Sequence, residues 1–415
     1  MKRLHKSAII LYSAILICLL CTLCNSASAH GGGIKDIYVR LVYQDNVWQY
    51  RYPQIKYCGG IDEGIDKCFK KDYRGRIIRQ YKNFRCSYKL KGAEKIVRQI
   101  ARTIDCEPVD AQISFYPDKK NKFEIIKDQK GKRLDCAALI SEIEKNLSAG
   151  KSADIIIKPQ LIEADITEKS LNRALGIRAE FSTDFSSSPP QRKHNIALAL
   201  SSFNGMIIPP LQEVSFNNTV GPRTMERGYK ISKIISEGDF VEGYGGGVCQ
   251  ASTTLYNALL LSDIRIKEYH KHSLAVSYVP PSFDAMVNIN TADLKFINSS
   301  GNYLFIKTWT DSNRAYVRIY GEKLNYTIKR KSTILKTYPT PKEIEITDND
   351  NKYKDLYEGE KLIMNSKPKI ESMGELVYYD GGGNIIKTRL LRKDTYAEFV
   401  GKVITGKQKK RRSDT

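Results

Sequence analysis

Several familiar catalytic signatures are missing from this chain of 415 residues. There is no GxSxG elbow, no HExxH pair and no GxxxxGK[ST] loop, which argues against serine acyl enzymes of that class, zincins and phosphate-loop nucleotide enzymes. SxxK spacing occurs at Ser148/Lys151 and Ser366/Lys369, but no SDN or KTG accompanies either. The only CxxC spacings lie within the first 24 residues, so a zinc knuckle is not expected in the rest of the chain. No run after Cys24 is long and apolar enough to span a bilayer, and no internal repeat is evident.

Acidic residues are also in short supply: 46 against 67 Lys and Arg, a net charge of +21. An excess of that size favours anionic partners without choosing among nucleic acid, membrane surface and acidic polymer. At 41% hydrophobic and 27% charged, the composition is that of a globular chain, long enough for two to four domains. The N-terminus narrows the choice of partner. Three basic residues precede an apolar run (7–24), followed by Ala-Ser-Ala before His30. This is the order of a signal peptide, and its length also suits an uncleaved anchor. Export removes nucleic acid as a partner and leaves the anionic envelope of a bacterium, with membrane-surface contact as a further expectation.

Nine cysteines are present. Three lie in the leader, five (58, 68, 86, 106 and 136) cluster, and Cys249 stands far away. The cluster allows two disulfides and one leftover, for which Cys249 is either a partner or a free thiol.

After an aromatic, basic segment at 30–90, the pattern at 91–166 predicts a helix through Ile96, Val97, Ile100 and Ala101, two short strands (113–116 and 123–126), and a second helix through Leu139, Ile140, Ile143 and Leu147. A strand at 154–162 follows, broken by Pro159. On Val109-Asp110-Ala111, the strand 123–130 with Gly131, and the strand running into Thr167, this segment resembles the peptidoglycan-binding module that often precedes VanW domains. The alternative is a connecting α+β module with no ligand of its own.

The polar stretch 182–190 reads as a loop. Beyond it stand Phe203-Asn204-Gly205, Val214-Ser215-Phe216-Asn217, Gly221-Pro222-Arg223-Thr224, Gly228-Tyr229-Lys230 and Gly243-Tyr244-Gly245-Gly246-Gly247-Val248-Cys249-Gln250. His272-Ser273, Tyr278-Val279-Pro280-Pro281, Asp284-Ala285 and Asp293-Leu294-Lys295-Phe296 complete the series. In this order they resemble a VanW domain, spanning 167–325. The family is named for an accessory protein of glycopeptide-resistance clusters, so the resemblance implies a role in cell-wall metabolism or resistance. Residues 326–406 alternate as strands about Gly381-Gly382-Gly383 and resemble the five-glycine module of wall and sugar-binding proteins, departing from its pattern at Ser366-Lys367-Pro368. A basic tail, 407–415, follows. The expected architecture is multidomain α+β: leader (1–29), cysteine-containing region (30–90), peptidoglycan-binding-like module (91–166), central α+β VanW domain, β-rich C-terminal module and tail.

The chemistry-bearing residues gather around Cys249. Three preceding glycines allow positive φ and close backbone approach. Ala251, Leu255, Ala258, Leu259 and Ser262 predict a helix with Cys249 in its first turn, where unpaired N–H groups and the positive dipole end favour a thiolate. His272, expected at the start of a strand over 274–279, is the candidate base, with Gln250, Asp284 or Asp293 as the group that orients it. The backbone of Gly245, Gly246 and Gly247 would stabilise an oxyanion, and Arg223 and Tyr244 would contact a peptide or carboxylate. The competing expectations are a small buried thiol, a disulfide, and a metal site of Cys249 with His270 and His272, which share a face at strand period two. No cofactor is implied. Two functions follow: a wall-binding or accessory factor on peptidoglycan or another anionic polymer, or a thiol-dependent acyltransferase or hydrolase on wall peptides.

Overall fold

The computed structural model describes residues 37–51, 53–59, 69–71, 77–80, 86–236, 239–349, 353 and 356–408. The leader, the side chains of Cys58, Cys68 and Cys86, and most of the basic tail lie outside the described residues. The chain is α+β and multidomain with a β-rich C-terminal part, and it divides into two compact units. Among the described residues, those from 37 to 109 with 129–164 form the first, and 110–128 with 165–408 the second.

In the first unit the strand Val39–Tyr43 is central, parallel to Ala153–Ile156 and antiparallel to Asn46–Tyr50. Two helices supply the rest of its core. Ala93–Ile104 buries Val97, Ile100, Ala101 and Ile104, and Cys136–Ser148 buries Leu139, Ile143 and Leu147. Both follow the periodicity of the sequence. The expected strand over 154–162 is two strands, Ala153–Ile156 and Gln160–Ile162, in different sheets. Pro159 lies in the break between them, as expected of a residue with no N–H to donate.

The stretch expected as one module at 91–166 is shared between the units. Its hairpin Gln112–Phe115 and Phe123–Ile126 belongs to the second unit. There Phe115 and Phe123 meet the rings of Phe305 and Tyr320 at centroid distances of 5.0 to 5.8 Å. Aromatic burial of this kind, invisible to local pattern, decides where the hairpin folds.

The second unit is built on an antiparallel sheet ordered Gly176–Asp184, Arg314–Gly321, Leu304–Thr310 and Met206–Ile208. Gly176–Asp184 extends into the stretch read as a loop because its last residues pair with Arg314–Ala315 across the sheet. The helix Val248–Leu261 carries no exposed face. Val248 and every residue from Gln250 to Leu260 are buried, so it is the centre of the core. Its polar residues find partners, as burial demands. Ser252 Oγ donates to the Ala285 carbonyl at 2.5 Å, Thr253 Oγ1 accepts from the Ala285 N–H at 3.0 Å, and Asn257 Nδ2 donates to the Phe283 carbonyl at 2.8 Å. The helix thereby holds residues 283–285 in place by backbone recognition. The C-terminal part contributes a sheet of Thr327–Thr337, Ile370–Tyr379 and Ile385–Tyr396, and a second of Ile344–Asp348, Lys402–Gly406 and Lys361–Met364. Among the described residues no helix is long and apolar enough to cross a membrane.

Candidate active site

Cys249 is the second residue of Val248–Leu261, behind a turn with Gly245 at φ +84° and Gly247 at φ +108°. These glycines are needed for space as well as conformation. A Cβ at Gly247 would sit 2.9 Å from Ile196 Cγ1, and one at Gly245 would sit 2.9 Å from Arg223 Cβ. Gly247 caps the helix with no side-chain acceptor. Val248 N–H and Gln250 N–H turn back to the Gly245 and Gly247 carbonyls, at 3.0 and 2.8 Å. The amides of Gly246, Gly247 and Cys249 make no hydrogen bond among the described residues.

Cys249 is half-buried and free, so it is not in a disulfide. As a thiol it donates to the Val287 carbonyl at 3.4 Å, and the His272 imidazole lies close enough to act on its ionisation through hydrogen bonding and charge. His272 uses Nδ1 on Asp284 Oδ2 at 2.7 Å, while its own backbone N–H donates to the same oxygen at 2.6 Å. This leaves Nε2 as the ring nitrogen for sulfur. The three side chains form the chain Cys249–His272–Asp284.

The electrostatics follow from that chain. Burial opposes ionisation of Cys249, but the hydrogen bond and charge of His272, aided by the Arg223 guanidinium, hold its pKa below the ordinary thiol value. Burial also opposes the charged form of His272, and its bonds to Asp284 and Cys249 overcome this, raising it to about 9. Asp284 is 1% exposed; its donors outweigh burial and keep its carboxyl at about 2. These shifts bias the site toward a thiolate beside a protonated His272, with Asp284 anionic.

Among the expected orienting groups, only Asp284 reaches the imidazole. Asp293 instead accepts from Ser215 Oγ at 2.5 Å and from the Asn217 N–H at 2.9 Å, fastening the start of the short helix Phe216–Val220. Gln250 is buried, with Nε2 donating to the Asp184 carbonyl and Oε1 accepting from Arg192, so it does not orient His272. Residues 274–279 form no strand; His272 is fixed by a loop closing on Asp284. The shared strand face for His270 and His272 is therefore absent. His270 pairs with Glu268 at 3.0 Å, and no metal-ligating cluster occurs among the described residues. Arg223 donates to Asn217 Oδ1 at 2.6 Å, and Arg227 donates to the Val220 carbonyl. Arg223 Nη1 is buried without a partner among the described residues. Tyr244 is exposed at the end of its strand, immediately before the glycine turn.

Sequence reasoning missed Arg192 and Tyr278. Arg192 lies on the helix Pro190–Ser201, has neutral partners in Ser188 and Gln250, and is close enough to Cys249 for their charges to interact. Tyr278 is half-buried, close enough to the same sulfur for their charges to interact, and desolvation pushes its hydroxyl well above the ordinary tyrosine range. No local signal in the sequence marks Arg192, and Tyr278 stands out there only as a member of the VanW-like series.

Comparison with known proteins places this geometry. Residues 191–320 match the family described as VanW like protein, and 60–155 match the one described as "Putative peptidoglycan binding domain". That second match begins before, and ends before, the module read from the sequence at 91–166. The uncharacterised protein YoaR of Bacillus subtilis (strain 168) is 28% identical over 231 residues, covering 54% of this chain and 73% of YoaR. A solved structure titled "Crystal structure of HP0197-G5" aligns over 20% of this chain and all of its own length at 15% identity, with a TM-score of 0.10, a score that establishes no common fold. The two matched domains make this a cell-wall-associated protein. Cys249, His272 and Asp284 all fall inside the first of them, the stretch 191–320 over which the chain matches the VanW like family.

Proposed function

We propose that the protein is an exported, thiol-dependent acyltransferase or hydrolase acting on cell-wall peptides. The observation that carries this reading is the Cys249–His272–Asp284 series, with the imidazole beside the sulfur on one side and hydrogen-bonded to a buried carboxylate on the other. In the first step the Cys249 thiolate attacks a peptide carbonyl carbon, and the C=O electron pair moves onto oxygen. The amides of Gly246, Gly247 and Cys249 are the available donors for that oxyanion. On collapse the C–N bond breaks, His272 gives its proton to the departing amine, and a thioester remains on Cys249. An incoming amine or water, deprotonated by His272, then attacks the thioester and returns the thiol. Arg192 and Arg223 add positive charge beside the sulfur.

Binding to the wall is the second part of the reading, supported by the peptidoglycan-binding match and by the +21 charge, which draws the chain toward anionic polymers. Export is supported by the leader-like order of residues 1–29 and by the wall-associated domains. The decisive experiment is turnover of purified peptidoglycan fragments by the wild-type chain and Cys249→Ala, with a sacculus pull-down in parallel. Loss of turnover with pull-down retained is expected. Equal turnover by both chains, or none by the wild type, leaves only the binding function. Turnover should also decline above about pH 9, where His272 loses the proton it must deliver.

A further inference from the structure

The carboxylate of Asp284 receives four hydrogen bonds, and only half of them come from the segment that the VanW like match covers. Its Oδ2 takes the backbone and ring N–H of His272. Its Oδ1 takes Arg392 Nη2 at 2.6 Å and Tyr396 Oη at 2.5 Å. Both of the latter residues belong to the strand Ile385–Tyr396 of the C-terminal sheet, beyond residue 320 where the match ends. They lie four apart on a strand and therefore on one face, with Asp394 between them. All three turn inward, since Arg392 and Tyr396 are buried and Asp394 pairs with Arg392 at 2.7 Å.

The contact extends along the loop that carries Asp284. Arg392 also donates to the Ser282 and Asp284 carbonyls, at 3.0 and 2.8 Å. Tyr396 Oη accepts the Ser282 N–H at 2.8 Å. Ser282 holds φ +67° with its side chain fully buried against Ser372 Oγ, and a Cβ at Gly374 would come within 2.9 Å of it. A non-glycine residue at positive φ persists only where its surroundings over-determine it. Here the surroundings are two strands of the C-terminal sheet.

We propose that the C-terminal sheet completes the thiol site, with Arg392 and Tyr396 as positioning residues that set His272 through Asp284. The inference rests on the thiol reading above and adds that residues 191–320 do not suffice for it. Tyr396 and Arg392 fix the rotation of the carboxylate and keep it anionic, so Oδ2 stays aimed at His272 Nδ1. The other titratable groups that feel this charge are Tyr256 on the cysteine helix and Tyr278, both neutral at ordinary pH, together with Cys249 at the far side of the imidazole.

The test uses the full chain and follows iodoacetamide labelling of the Cys249 peptide against pH by mass spectrometry. Tyr396→Phe removes one hydroxyl and no charge. It is expected to lower labelling at pH 6 roughly tenfold, the equivalent of about one pH unit in the thiolate equilibrium. Arg392→Lys, which keeps the cation, is expected to lose less than Arg392→Met. Because both residues act through Asp284, adding Tyr396→Phe to Asp284→Asn should cause no further loss, whereas independent packing effects would multiply. This comparison also survives partial destabilisation of any single variant. A wild-type labelling profile in Tyr396→Phe, or full multiplication in the double variant, overturns the proposal while the thiol reading stands. A wild-type Cys249 that labels like an ordinary thiol removes both.

Discussion

Two helices in this molecule begin with a cysteine in the first turn, one in each unit, and they differ in everything around it. Cys136 opens the helix Cys136–Ser148, where the cap Asp135 accepts the Ala138 N–H at 2.9 Å. The spare amides there are served by the chain's own carboxylate, which also places negative charge beside the sulfur. Cys249 follows a glycine cap that supplies no side chain, so its helix start is left open. The dipole of about half a positive charge is common to both helices. Only Cys249 adds an imidazole, two guanidinium groups without carboxylate partners among the described ion pairs, and nearby amides with no acceptor. A helix start is therefore a weak device by itself, and the partners brought from elsewhere in the chain make the site.

The sharpest way to break this comparison is to delete each sulfur in turn. Cys249→Ala is expected to abolish turnover of peptidoglycan fragments, while Cys136→Ala leaves it within a factor of two. Equal losses would mean that neither cysteine reacts. His272→Ala comes next. Without the imidazolium the thiolate loses its main support against burial, and alkylation of Cys249 at pH 6 should fall roughly a hundredfold, or about two pH units of thiol pKa. Two carboxylates extend the contrast with smaller effects. Asp284→Asn should cut alkylation at pH 6 by about tenfold or more, because His272 loses the anion that raises it. Asp293→Asn should leave alkylation near wild type and lower stability by about 1 kcal/mol through its lost bonds to Ser215 and Asn217, read by denaturant unfolding. The smallest effect belongs to the first unit: Asp135→Ala should cost about 1 kcal/mol of cap stability without touching catalysis.

The sequence made some of this legible and hid the rest for identifiable reasons. Glycine turn, cysteine and following helix are contiguous, so local pattern placed Cys249 in the first helical turn. The apolar face expected through Ala251, Leu255 and Ala258 underestimated the helix, whose serine and threonine side chains are buried by hydrogen bonds that hydropathy does not register. His272 and Asp284 were recognisable as candidates, but choosing Asp284 over Asp293 requires knowing how the 272–284 loop closes. Arg392 and Tyr396 were out of reach. They contact Asp284 from 108 and 112 residues away, through a sheet that looked like a separate module.

The central claim is that Cys249, and not merely any cysteine at a helix start, is held as a thiolate. The most direct measurement is the rate of iodoacetamide labelling of Cys249 and Cys136 in the same wild-type chain between pH 5 and 9. The account predicts that Cys249 labels faster than Cys136 at pH 6, with a midpoint below that of an ordinary thiol, and that His272→Ala moves the midpoint upward. A Cys249 profile that coincides with that of Cys136, or one unaffected by His272→Ala, would contradict it.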